Sequence, residues 1–206
     1  MTILSDKEII ELCTRPSTSM MSPEQIEELN DWKPMLENFV DRQIRFNDKD
    51  EKVISYGLSS YGYDLRAAPE FLIFTNVNSA VVDPKKFDET SFVKIEAKEV
   101  LIPPNSFMLT HSLEKFNMPK NITGVVLGKS TLARSGLSCI CTPAEAGWSG
   151  YLTLEFANNT PLPVKFYAEE GCCQVVFIEG NPCITTYADR NGKYQDQPAS
   201  VILPRL

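Results

Sequence analysis

The run YLTLEFAN, residues 151–158, alternates large apolar side chains with small or charged ones. As a strand it sends Leu152, Leu154 and Phe156 to one face, and Thr153 and Glu155 to the other. A carboxylate in that setting has two fates. Facing water, Glu155 is an ordinary solvated glutamate; facing a cleft, it loses hydration, its pKa rises, and it becomes suited to moving a proton. Upstream, GKSTLARSG at residues 128–136 concentrates donors in Lys129, Ser130, Thr131 and Arg134. Lysine supplies a point charge and arginine a planar fork, both suited to phosphate or carboxylate. Gly128 and Gly136 permit close backbone approach. The same residues also read as a solvated basic turn.

The start of that run looks like the end of a phosphate-binding P-loop, but its spacing does not fit. Such a loop needs four residues between its first glycine and Gly-Lys-Ser/Thr. Gly124 leaves only Val125, Val126 and Leu127 before Gly128, and these strand formers favour a straight approach rather than a curled anion nest. The turn Gly147-Trp-Ser-Gly150 separates the donors from Glu155. A chain reversal there could bring base and donors together. Gln174 opens an apolar strand and could read a base edge through its amide, or serve structure alone. Tyr187, Lys193 and Gln197 could bring stacking, charge and amide hydrogen bonds over a nucleotide, or form a plain hydrophilic tail. The run Ser60-Tyr-Gly-Tyr-Asp-Leu-Arg66 holds a possible salt-bridging pair, Asp64 and Arg66, and reads as structural.

The elements that must position these groups change character along the chain. Ser5-Asp-Lys-Glu8 reads as a capping box opening a short helix, and Ser22-Pro23-Glu24-Gln25 as a second helix start. Met35, Phe39, Val40, Ile44 and Phe46 keep an approximate helical spacing over 34–46. Residues 1–50 are therefore expected to form a helical or irregular segment packed on a main domain over 51–206. From about residue 50 come short strand-like runs: FLIF, SFVKI, SFMLT, ITGVVL, YLTLEF, VKFY and CQVVFI. Turns rich in proline, asparagine and glycine separate them. That pattern predicts a mainly β body, a compact barrel or jelly roll. The tail from Tyr187 ends in Val201-Ile-Leu-Pro204 and could cover a pocket, dock on a neighbour or simply pack.

Composition narrows the function classes. A chain of 206 residues, 43% hydrophobic, can bury one substantial core. A formal net charge of -7 disfavours a nucleic-acid polymer as main partner, though a local basic pocket could hold one anionic nucleotide. No leader peptide or bilayer-length apolar run is evident, so a cytoplasmic, membrane-free protein is expected. The six cysteines form no C-x-x-C pair and are expected to be free, mostly buried thiols. His111, the single histidine, is expected on the surface or in a loop, and its surroundings lack the H-x-E and P-C-x-x-C pieces of a zinc deaminase.

Taken in order, GKSTLARSG, TPAEAGWSGYLTLEFANNTPLP, EEGCCQVVF and YADRNGKYQDQ resemble the dCTP deaminase family, within the wider dUTPase-like fold. SSYGYDLR and FTNVNSAVVDPKKFDETSF add to the match, which runs from about residue 53 to 205. The resemblance implies a homotrimer of distorted β-barrel or jelly-roll subunits, with active sites between subunits and a closing tail. It implies hydrolytic deamination of dCTP to dUTP and ammonia, feeding dUMP formation. Glu155 would activate water for attack at cytosine C4, with Ser130 and Arg134 holding the water and the developing charge. Lys129, Ser130, Thr131, Leu132, Ala133 and Arg134 would border the triphosphate, joined by Lys193. Thr153, Leu154 and Glu155 would hold cytosine and deoxyribose, and Gln174, Tyr187 and Gln197 would add nucleotide contacts. Magnesium would travel on the triphosphate, and no protein-bound zinc is required. Thr142–Gly147 departs from the family branch carrying Ile-Asp-Pro-Gly before its tryptophan; Glu145 keeps a carboxylate there. A bifunctional relative that also cleaves dUTP to dUMP and diphosphate, and a noncatalytic trimeric nucleotide-binding protein, are the alternatives.

Overall fold

β-branched and aromatic residues on alternating positions build most of the chain into strands. The computed structural model describes residues 1–17, 21–22, 24, 27, 29–78 and 80–205. The first sheet joins β1 (Thr2–Ile3), β3 (Gln43–Phe46), β4 (Lys52–Ser59), β5 (Gly62–Arg66), β10 (Ile122–Gly128) and β14 (Gly171–Glu179). β14 is its spine, with β10 along one edge and β5 and β1 sharing the other. The second sheet runs β11 (Leu137–Ile140), β12 (Ser149–Asn158), β9 (Phe107–Asn117), β6 (Glu70–Phe74) and β7 (Phe92–Glu96), and β2 (Leu36–Glu37) also pairs with β9. β8 (Glu99–Ile102) and β13 (Val164–Tyr167) form a separate pair. The protein is thus mainly β, as the strand-like runs predict.

One continuous core lies beneath these strands, and its aromatic side chains tie them together. Phe166 of β13 meets Phe156 of β12 at 4.7 Å between ring centroids and Phe71 of β6 edge-on at 6.0 Å. Along β12 the burial alternates as expected: Leu152, Leu154 and Phe156 are buried, while Thr153 and Glu155 are half-buried on the other face. Helix α1 (Asp6–Cys13) adds Ile9 and Cys13 to the core. Its capping serine is tied to Glu8, whose Oε2 accepts from the Ser5 backbone N–H at 2.8 Å and from Ser5 Oγ at 2.7 Å. The second expected helix start, Ser22–Gln25, falls on residues 23 and 25, outside the described residues. No helix among the described residues is long and apolar enough to cross a membrane.

Two expectations are corrected. The helical spacing over 34–46 gives way to β2 and β3, separated by a turn in which Asn38 takes φ 61. Pairing of β2 with β9 and of β3 with β4 overrides a local period that carried little more than apolar content. Asparagine tolerates the left-handed conformation needed between them. His111 is neither exposed nor in a loop: it is buried within β9, its Nδ1 2.9 Å from the Ser112 carbonyl oxygen, its ring edge-on to Tyr151. Burial pushes its pKa down. Sequence alone cannot show that this position faces inward, because both neighbours, Thr110 and Ser112, are polar and yet buried too.

Asp64 and Arg66 are not partners of one another. Arg66 Nε donates to Glu114 Oε1 at 2.8 Å, and its backbone N–H donates to Glu114 Oε2 at 3.0 Å. Tyr63 Oη completes that buried group at 3.2 Å from Glu114 Oε1. Asp64 instead binds Lys129, Nζ to Oδ2 2.7 Å. All six cysteines are free thiols, with Cys13, Cys172 and Cys173 buried.

Candidate active site

Glu155 lines a cavity of about 710 Å³ between the outer face of the second sheet and the C-terminal tail. The cross-strand neighbours of Glu155 are Leu109 on β9 and Ile140 on β11, so its carboxylate stands in an apolar row. Its Oε2 is buried with no hydrogen-bond partner. Loss of hydration pushes the carboxyl up to about 7, against a smaller lowering by its own backbone N–H. Such a group exchanges a proton readily near neutral pH. Of the two fates open to this side chain, its placement in the cavity with a buried Oε2 fits the cleft-facing one.

The rest of the lining divides into an apolar wall and a polar rim. Phe87, Phe92, Phe107, Leu109 and Trp148 make the wall, and Thr142, Glu145, Thr153, Tyr187, Lys193, Tyr194 and Gln197 supply polar groups. Wide apolar walls with few convergent polar groups are the common form of a small-molecule site. The tail closes it: Ile202 and Pro204 line the cavity, and the Ile202 N–H reaches Thr153 Oγ1 at 3.4 Å. Gln197 Nε2 donates to the same Thr153 hydroxyl. The tail is held at Val201, whose N–H donates to Glu70 Oε1 at 2.7 Å, and at Lys193, whose ammonium donates to the Arg205 carbonyl at 2.6 Å. Trp148 Nε1 donates to the Tyr194 carbonyl at 2.7 Å, and Tyr194 N–H to Tyr187 Oη at 3.1 Å. Glu145 is engaged by Arg190.

The donor run lies elsewhere. After β10 the chain forms a short helix, Ser130–Arg134, anchored by buried Leu132. Ser130, Thr131, Ala133 and Arg134 are exposed, and none of the residues from Lys129 to Arg134 lines the cavity of the same chain. Gln174 belongs with this group: it sits on β14 between Asp64 of β5 and Leu127 of β10. The fold therefore gathers the expected residues into two sets. Thr153, Glu155, Tyr187, Lys193 and Gln197 share the cavity, while Lys129, Ser130, Thr131, Arg134 and Gln174 stand together outside it. Leu132 and Leu154 put their side chains in the core, which leaves only their backbone groups for any ligand.

Comparison with known proteins decides the family. A dCTP deaminase-like family model matches residues 20–180. The chain belongs to the dCTP deaminase-like family. A dCTP deaminase of Acidobacterium capsulatum is 55% identical over 175 residues, 84% of this chain and 92% of that protein. A dCTP deaminase of Acinetobacter baylyi is 50% identical over 188 residues, 91% of this chain and 99% of that one. Among solved structures, the 2'-deoxycytidine 5'-triphosphate deaminase of Agrobacterium tumefaciens has the same fold, with a TM-score of 0.53 at 14% identity, over 89% of this chain and 49% of that chain.

Several lining residues of this family member escaped sequence reasoning. Phe87 and Phe92 are near neighbours in the chain, but Phe107 lies on β9 and meets Phe92 only through the β6, β7 and β9 pairing, edge-on at 5.5 Å. Tyr194 was within reach, since it adjoins Lys193 in the tail motif. Gly150 matters for the same closure. It takes φ 139, and a Cβ there would stand 2.6 Å from the Gln197 backbone nitrogen. Gly150→Ala is expected to lift Gln197 from Thr153 and raise KM for nucleotide roughly tenfold while leaving the circular dichroism spectrum unchanged. An unchanged KM would show that Gln197 is not held through this approach.

Proposed function

We propose that the protein hydrolyses dCTP to dUTP and ammonia. The observation that carries the reading is the Glu155 carboxylate, desolvated, with one oxygen unpartnered, set in a cavity with Thr153, Gln197, Tyr187 and Lys193. The names of the relatives supply the substrate. Glu155 takes a proton from water as the water oxygen bonds to cytosine C4 and the C4=N3 π bond opens, and it passes that proton to N3. It then carries the proton of the new C4 hydroxyl to the amino group as the C4–N4 bond breaks, so that ammonia leaves and the uracil carbonyl forms. Thr153 and Gln197 orient the base and sugar. Lys193 exchanges its Arg205 carbonyl for phosphate oxygen, and magnesium enters as part of the substrate, neutralising the triphosphate.

Ser130 and Arg134 complete the cavity of a neighbouring copy in this reading. They are exposed, and Leu127 on the strand leading to them and Ile140 on β11 leave apolar surface open to solvent. A homotrimer with sites at its subunit boundaries joins the two sets of residues. The test is a product-resolved assay with dCTP, CTP and dUTP in magnesium. Ammonia with dUTP supports the assignment. Accumulation of dUMP and diphosphate from dCTP identifies the bifunctional alternative, and nucleotide binding without ammonia the noncatalytic one.

The pH dependence follows from the raised carboxyl. As a base Glu155 must be ionised, so kcat/KM is expected to fall below about pH 7, approaching tenfold per unit in acid. Stability runs the other way. The carboxyl binds its proton more tightly folded than unfolded, so its contribution is full below the ordinary glutamate range, near 4.5, and is lost as pH rises through about 7. Urea unfolding of wild type against Glu155→Gln should therefore show the wild type losing ground as pH rises through this window. Parallel curves would mean that Glu155 is solvated.

A further inference from the structure

We propose that Asp64 is a positioning residue of the deamination site, acting through Lys129 on the helix that carries Ser130 and Arg134. This rests on the reading of Ser130 and Arg134 as groups that hold water and phosphate.

A helix of five residues is not stable by itself, and its orientation comes from whatever anchors its ends. Here the entry residue is Lys129, whose carbonyl accepts from the Ala133 N–H at 2.9 Å. Its side chain turns inward instead of reaching solvent, and its ammonium meets Asp64 Oδ2 at 2.7 Å. The same oxygen accepts from Gln43 Nε2 at 2.7 Å, which fixes the carboxylate from β3 as well. Asp64 is 4% exposed and Lys129 9%. Separating a buried pair leaves an uncompensated charge, so the pair strongly resists displacement. Asp64 also lies across from Gln174 in the β5 and β14 register. One carboxylate thus lies opposite Gln174 on the neighbouring strand and holds the entry residue of the helix bearing Ser130 and Arg134. Lys129, expected from the resemblance to border the triphosphate, has its ammonium bound to Asp64 and serves to aim its neighbours.

The test compares Asp64→Asn in wild-type and Ser130→Ala backgrounds, reading kcat/KM for ammonia release together with the unfolding midpoint. Misplacing Ser130 and Arg134 is expected to lower kcat/KM about 10- to 100-fold in the wild-type background. With Ser130 already truncated, the same change is expected to cost less than about threefold, because coupled groups do not add. A purely structural Asp64 gives losses that multiply across the two backgrounds, and that result, or a loss under about twofold in wild type, overturns the proposal. If Asp64→Asn does not fold, Lys129→Arg, which keeps the charge but changes its reach, is read against the same thresholds. Wild-type protein that releases no ammonia overturns the deaminase reading itself; normal turnover with multiplying losses overturns only the role of Asp64.

Discussion

Glu155→Gln is expected to lower ammonia release from dCTP by about 10²- to 10⁴-fold while leaving nucleotide affinity within a few-fold. The amide has the shape of the carboxylate and suits the apolar row formed with Leu109 and Ile140, so the cavity should survive the change. What it lacks is the ability to take the proton that water must lose. Single-turnover measurement of ammonia, alongside equilibrium binding of dCTP, separates these effects. Undiminished turnover would remove Glu155 from the mechanism, and the carboxylate left lining the cavity, Glu145, is engaged by Arg190. Loss of binding together with turnover would instead assign Glu155 to holding the base.

The second large effect concerns assembly. Glu155→Gln and Arg134→Ala, each nearly inactive alone, are expected to restore activity when co-expressed. If each site takes Glu155 from one subunit and Arg134 from the next, random mixing leaves roughly one boundary in four intact, and recovery should approach about a quarter of wild-type turnover. The physical basis is the separation of the two sets: Glu155 lines the cavity, and Arg134 is exposed on a helix that does not reach it. Mixed oligomers, verified by native mass spectrometry, that stay inactive would show that both groups serve one chain. A chain that sediments as a monomer while fully active would do the same.

Much of the body was legible in the sequence because alternation is a local signal. Leu152, Leu154 and Phe156 face the core and Thr153 and Glu155 turn away, as period two requires. The seven strand-like runs all fall on strands, since β-branched and aromatic residues between turn formers have few other stable arrangements. The 34–46 segment failed for the opposite reason. Its apolar spacing suits a helix, and only pairing with β9 and β4 makes strands of it. The motif order of the tail identified Tyr187, Lys193 and Gln197, all of which the fold brings to the cavity.

The sequence by itself determined which face of β12 carries the carboxylate, that GKSTLARSG is no P-loop, and which family the motifs resemble, because each depends on spacing along a single stretch. Tertiary structure decided that Glu155 is desolvated, that the tail lies on Thr153, and that Lys129 is bound to Asp64 rather than free. These are contacts between segments tens of residues apart, and solvation depends on what such segments cover. The donor run was the same nine residues throughout; only the fold shows that they stand outside the cavity that Glu155 lines.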